Sequence, residues 1–198
     1  MEDKRFNSLK DRIEFFNRTV APIVGNDCAN MMVQNGFLLA PASKGHHSNY
    51  EGGLFDHSVE VAMQLQNLTD KLGLVWEAED SAFRVGIIHD LCKIDTYKKV
   101  VDKPEIIGLD SGLEVCIPEE SHYEWDNSPI IKGHGDKSVI YALNWGCPLT
   151  EEEIACITYH MGAYETNRWD AFSNAVKRFP NVLYTHTADM IADKIMGV

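Results

Sequence analysis

His89 and Asp90 stand side by side at the end of an apolar run, Ile87-Ile88-His89-Asp90-Leu91-Cys92-Lys93, with a lysine three positions beyond the aspartate. An imidazole next to a carboxylate combines two ligand types that suit Zn, Mn, Fe, Ni or Mg, and the doublet gains meaning only if other segments supply further ligands. Candidates are His57, His134, His160 and Asp189, all distant from the doublet in sequence. Singly, each is ordinary. An inward histidine is commonly a hydrogen-bonded core residue, and a carboxylate on an apolar helix wants a partner if it is buried. Together, four neutral imidazoles and two carboxylates would leave a pair of divalent ions with about two uncompensated positive charges. Such a centre attracts phosphate and supplies hydroxide.

The elements that must position these residues follow from hydrophobic spacing. Phe6, Leu9, Ile13, Phe16 and Val20 recur at steps of three and four, which predicts a helix over residues 3 to 20 that ends at Pro22 and Gly25. A second short helix, capped by Asn26 or Asp27, carries Met31, Met32 and Val33 as far as Asn35-Gly36. Residues 40–53 read as a loop of small and polar residues that brings His46 and His47 to the next helix, as solvated side chains or as substrate contacts. Leu54, His57, Val61, Leu65, Leu68 and Leu72 share one helical stripe, so His57 points inward. A helix over 77–93, with Ala78, Ala82, Val85, Ile88 and Leu91 on one side, carries the doublet near its end. Adjacent helical positions lie about 100° apart, so His89 and Asp90 should diverge, one serving an ion and the other a bridge.

Between residues 94 and 131 the helical period stops. Tyr97, Val100 and Val101, the run 113–118, and His122 to Trp125 alternate like short strands between turn signals, which predicts one or two β-hairpins. Tyr97, Lys98, Lys99 and Trp125 are either substrate contacts or an aromatic cluster beneath the hairpin. His134 lies between two glycines before an apolar helix at 139–145, where the backbone can approach an ion or a phosphate closely. Thr150 to Glu153 has capping-box spacing and opens a helix that ends at His160-Met161-Gly162. Over 182–196 a last helix places His186, Asp189 and Asp193 on one face of a segment whose apolar residues are Val182, Leu183, Ile191 and Ile195.

At 198 residues, 44% hydrophobic and 24% charged, the chain suits one globular domain. A net charge of -12 sets the overall field against long nucleic acid without excluding a small phosphorylated substrate. The five cysteines are scattered, with no Cys-x-x-Cys pair, so a disulfide framework or zinc knuckle is not indicated and reduced thiols in a cytoplasm are expected. No apolar run approaches the roughly 20 residues of a membrane helix, and the N-terminus has no signal core.

The order His57, His89-Asp90, Asp189, with His134 and His160 between, resembles the HD-domain superfamily of metal-dependent phosphohydrolases. The stretch from His46 to His57 is similar to the entry of the HD domain of bacterial 3′-to-5′ exoribonucleases. Gly-His-Gly-Asp-Lys-Ser and Tyr-His-Met-Gly are similar to segments of small bacterial and phage HD hydrolases. The resemblance implies a mostly α fold: an HD-domain helical bundle with a small β-hairpin insertion around residues 97–130. The domain would run over 1–198, with a helical extension at 1–36, the HD core at 37–196 and the insertion at 94–131.

It also implies one or two divalent ions, drawn from Mn, Fe, Ni, Zn, Co or Mg. One would be held by His57, His89, Asp90 and Asp189, and Asp90 would bridge to a second held by His134 and His160. Lys93, together with His46, His47, Lys137, Tyr97 and Trp125, would contact the substrate. The substrate implied is a small phosphorylated one, a nucleotide first of all. A short-oligonucleotide 3′-to-5′ nuclease, a noncatalytic metal-dependent nucleotide sensor and a di-iron oxygenase are the competing readings. Cys92 stands where the family often has glycine in His-Asp-x-Gly-Lys. No oligonucleotide-binding barrel precedes the HD segment, which with the acidic charge argues against processive RNA degradation.

Overall fold

In the computed structural model, residues 5–45, 48–102, 105–108, 114–117 and 121–198 are described. Apolar spacing in the first segment produces α1 (Leu9–Phe15), opened by the Ser8 hydroxyl, which accepts the Asp11 N–H. The path then runs through a π-helical turn at Phe16–Val20 into α2 (Ala21–Val24). Pro22 therefore does not end the helix. It lies at the start of a new α segment, where its missing N–H costs little, and the break comes at Gly25 with φ 88°. Phe16 and Val20 are buried as expected, but Leu9 and Ile13 are each 42% exposed. Gly25 itself caps α3 (Asn26–Gln34), without a side-chain cap from Asn26 or Asp27.

The central element is α4 (Gly53–Leu72). Its first half is buried all round, because the N-terminal helices cover one side and the metal-ligand candidates the other. Phe55 meets the rings of Phe6, Phe16 and Phe37. Asp56, buried on the same helix, takes two hydrogen bonds from the Arg12 guanidinium, at 2.7 and 2.8 Å, and one from the Tyr50 hydroxyl at 2.9 Å. A buried carboxylate needs that many partners.

Packed antiparallel to α4 in sequence order is α5 (Ser81–Ile88), shorter at both ends than the spacing at 77–93 predicts. His89 caps it, Asp90 leaves helical geometry at φ -107°, ψ 16°, and the chain tightens into a 3-10 turn at Leu91–Asp95. Gly86 allows the contact with α4: a β-carbon there would lie 2.3 Å from the Ala62 Cα. The insertion holds two antiparallel ladders, β1 (Tyr97–Val101) with β4 (Ser121–Trp125) and β2 (Glu105–Gly108) with β3 (Glu114–Ile117).

Beyond it, α6 (Gly135–Asn144) starts earlier than the apolar run at 139 suggests. The capping box forms as its spacing predicts at the start of α7 (Glu151–Tyr159), and Glu153 also pairs with buried Arg84 at 2.6 Å, tying α7 to α5. An unanticipated helix, α8 (Trp169–Arg178), precedes α9 (Asn181–Ile191), which relaxes into a π turn at Ala192–Met196. On α9 Val182 is buried, but Leu183 is 44% and Ile195 74% exposed, so the inward face is not the one those two residues mark. Cys28, Cys92, Cys147 and Cys156 are free thiols. Among the described residues no helix is long and apolar enough to cross a membrane.

Candidate metal centre

Five helical segments bring the chemistry together. His57 projects from the second turn of α4, His89 from the end of α5, His160 from the end of α7 and Asp189 from α9, while His134 lies just before α6. The approach of α6 to α7 depends on Gly135, where a β-carbon would lie 2.3 Å from the Ile157 carbonyl oxygen. Its glycine thus serves helix packing, which draws His134 and His160 to a ring separation of 4.9 Å.

Hydrogen bonds fix the tautomers of three of the histidines. The Nδ1 atoms of His57, His89 and His160 lie 2.8, 2.7 and 2.7 Å from the backbone oxygens of Val198, Gly86 and Ile157. A backbone oxygen only accepts, so each Nδ1 carries the proton and donates it. In the neutral imidazole each Nε2 then keeps a lone pair facing the interior, the form in which histidine binds a metal, and without an ion the position on His57 or His89 takes a proton shared with Asp90 or Asp189. Nε2 of His57 and Nε2 of His89 face one another at 3.3 Å. Two bare lone pairs at that distance repel unless a cation or a proton lies between them.

The carboxylates complete the arrangement. Asp189 Oδ1 is 3.2 Å from His57 Nε2 and 3.8 Å from His89 Nε2. Asp90 divides its oxygens: Oδ2 faces His89 at 3.4 Å and His57 at 3.6 Å, while Oδ1 faces His134 at 3.0 Å and His160 at 3.5 Å. The predicted divergence of His89 and Asp90 does not occur, because Asp90 has left the helix and its Oδ2 returns to the side of His89. Single ligand atoms of His57, His89 and Asp90 lie within 4.8 Å of one another, as do those of His89, His160 and Asp189, and those of Asp90, Cys92 and His134.

The third group was not anticipated: Cys92 Sγ lies 3.4 Å from His134 Nδ1, so the residue in the glycine position faces the second half of the site. Asp90 Oδ1 and His160 Nε2 are buried with no aligned hydrogen-bond partner among the described residues. Unsatisfied buried atoms of ligand type, amid imidazoles in the ligating tautomer, fit a divalent metal.

Charges at the site hold one another in place. Burial alone would raise the Asp90 carboxyl, but the Lys93 ammonium and the His89 and His134 imidazoles hold it well below its usual range. Asp189 is half-buried, and against the desolvation that would raise it, its hydrogen bond with His57 and the nearby His89 hold it down. Burial works against protonation of His89 and His134, yet Asp90 raises His89, and Cys92 with Asp90 raises His134. For His160 burial prevails and the imidazole is pushed down. Lys93 Nζ lies 2.6 Å from Asp90 Oδ2, and that carboxylate outweighs burial to raise the ammonium.

Beside this cluster lies a cavity of about 400 Å³ lined by Asp90, Lys93, His134 and Asp189 at its base and by Tyr97, Trp125 and Tyr164 on its walls. Lys93, Tyr97 and Trp125, three of the candidate substrate contacts, thus line one cavity. Lys137 does not: its ammonium is buried against Asp95, whose other oxygen takes the Tyr141 hydroxyl. Asp136 pairs with Arg168, and Asp193 with Lys194. His46 and His47 lie outside the described residues. His186 donates from Nδ1 to the His160 carbonyl and so supports the site from behind. A larger cavity, about 670 Å³, lies among α1 to α3, but no titratable side chain lines it.

A helical bundle whose His and Asp side chains converge from separate helices in this order is the HD arrangement. The HD-domain family model matches residues 54–175, more than half of the chain, so the protein belongs to the HD-domain family, whose members are metal-dependent phosphohydrolases. The match takes in His57, His89, Asp90, His134 and His160; Asp189 lies beyond it.

Among curated proteins, the 3′3′-cGAMP-specific phosphodiesterase 1 of Vibrio cholerae serotype O1 is 33% identical over 67 residues. That segment is 34% of this chain and 15% of the relative, so this chain corresponds to a small part of the relative's length. No solved structure matches.

Proposed function

We propose that the protein is a metal-dependent phosphohydrolase acting on a nucleotide, a nucleoside monophosphate or a cyclic or signalling nucleotide. The observation that carries the reading is the division of Asp90, with one oxygen among His57, His89 and Lys93 and the other among His134 and His160. A carboxylate so placed suits a bridge between two cations. His57, His89 and Asp189 would hold the first ion and His134 and His160 the second. When bound, such ions supply Lewis acidity toward a phosphoryl oxygen and a water of lowered pKa.

The chain's own groups do the remaining work. Backbone oxygens hold three imidazoles in the ligating tautomer, so no tautomeric change precedes metal uptake. Lys93, on the cavity floor beside Asp90, places an ammonium where a phosphate oxygen would come to rest and where negative charge grows during phosphoryl transfer. Burial of His57, His89, Asp90 and His160 keeps bulk water from competing for their polar atoms. The cavity volume lies within the roughly 300–1,000 Å³ usual for small-ligand sites. Relatedness to a phosphodiesterase that acts on a cyclic dinucleotide supports a nucleotide substrate.

Hydrolysis of a panel of mononucleotides and cyclic nucleotides by protein loaded with Mn or Mg, followed by chromatography of the products, tests the reading, since opening a cyclic nucleotide frees no inorganic phosphate. Turnover abolished by Asp90→Ala is expected; an equally active variant, or no turnover of any member, would contradict it.

A further inference from the structure

Alternate residues of a strand share a face, and in the β1–β4 ladder Tyr97 opposes Trp125 while Lys99 opposes Tyr123. The rings of Tyr97 and Trp125 meet at a centroid distance of 4.9 Å, tilted by 47°, and line the cavity beside the metal-ligand cluster. Lys99 and Tyr123, two residues farther along the same face, line a second groove of about 320 Å³ together with Ala40, Pro41, Glu51 and Tyr97.

Two features make the groove and the cavity one path. Tyr97 belongs to both, and the opposite wall is also continuous, with Ala40 and Pro41 on the groove and Ala42 and Ser43 on the cavity. The other face of the ladder is occupied by its own pairings, Lys98 with Glu124 and His122 with Asp102. Burial raises the Tyr123 hydroxyl, as expected for a ring set against a wall.

Resting on the hydrolase reading above, we infer that the substrate is a dinucleotide-sized phosphodiester with a second phosphate. Its scissile phosphate lies at the metal-ligand cluster with one base against Trp125 and Tyr97. The second nucleoside lies along the groove against Tyr123, with Lys99 reaching the second phosphate. An aromatic face accepts any base by stacking, and an ammonium meets phosphate as a point charge. In the hydrolysis the oxygen of water bonds to phosphorus and the bond from phosphorus to a ribose oxygen breaks. One water proton passes to that oxygen and the other is released from the new phosphate monoester.

Calorimetry on the metal-loaded protein would compare adenosine 5′-monophosphate with a 5′-phosphorylated diadenosine dinucleotide whose internal link is a phosphorothioate. The dinucleotide should bind roughly tenfold or more tightly than the monophosphate. Lys99→Ala and Tyr123→Ala should each remove most of that advantage and leave monophosphate affinity unchanged, which also shows that the variants are folded. Equal binding of the two ligands by the wild type, or an advantage untouched by both variants, would overturn the inference. Hydrolysis of the ordinary nucleotides, measured separately by chromatography of the products, judges the hydrolase reading on its own: a dinucleotide preference without turnover would leave the groove assignment standing and remove the enzyme.

Discussion

Lys93 is the residue whose environment departs most from what its position suggests. Three residues beyond Asp90, it could be an ordinary cation at a helix end, but α5 has already stopped and the ammonium is turned down onto Asp90 Oδ2. Lys93→Met keeps the length of the stem and removes the charge. It should lower kcat by about 10² to 10³, the usual loss when one transition-state donor is removed, with metal content by elemental analysis unchanged. A variant that loses its metal instead would make Lys93 a support for Asp90 alone.

At this scale the sequence was informative about residue types. His57, His89, Asp90, His134, His160 and Asp189 stand out because side chains of a ligating type lie on, or at the ends of, helices whose other inward residues are apolar. The Nδ1 partners were not recognisable, since Val198 lies 141 positions from His57 and their contact exists only after folding. Lys137 misled for the same reason: its nearness to His134 in sequence says nothing of Asp95, which takes it away.

Helices position the site through a close approach at Gly86 and a buried ion pair at Arg84, tested by adding atoms at the first and removing them at the second. Gly86→Ala would drive a methyl into Ala62 and push α5 from α4, separating His57 from His89. Chemical denaturation should show a loss of about 1–3 kcal/mol, the ordinary cost of overpacking, together with weaker metal binding. Arg84→Ala strands the Glu153 carboxylate, whose side chain is fully buried, and should cost about 3–5 kcal/mol in the same measurement. The stripe of α4 and the capping box of α7 were legible because both are local patterns. The early end of α5 was not, since the apolar period continues through Leu91 while Asp90 turns out of the helix toward His134. α8 was missed although its pattern is also local: Trp169, Phe172, Val176 and Phe179 recur at steps of three and four, with Phe172 buried and Val176 and Phe179 packed against the core.

Across the molecule, metal and protons compete for one cluster. Asp90 and Asp189 are lowered, so the stability they lend is present above the ordinary carboxylate range and is lost as pH falls through their depressed values. His89 and His134 are raised, so their contribution is complete below the ordinary imidazole value and fades as pH rises through their elevated ones. His160, pushed down, works the other way and loses its contribution as pH falls below the ordinary imidazole value; with two raised imidazoles against one, metal-free protein should be most stable between about pH 4 and 6.5, and divalent metal should move that optimum upward by displacing the imidazole protons. Thermal melts across pH, with chelator and with Mn, check both halves. At a metal concentration of about 100 times Kd the gain should be about 2.7 kcal/mol, or roughly 5 to 10 °C, and Asp189→Ala should reduce it sharply.

The most direct measurement is release of hydrolysis products from nucleotides, resolved by chromatography, by the protein titrated with Mn, set beside Asp90→Ala under the same conditions. Release that rises with metal and vanishes in the variant is the predicted result. Release that is independent of metal, or unchanged when Asp90 is removed, would contradict the account.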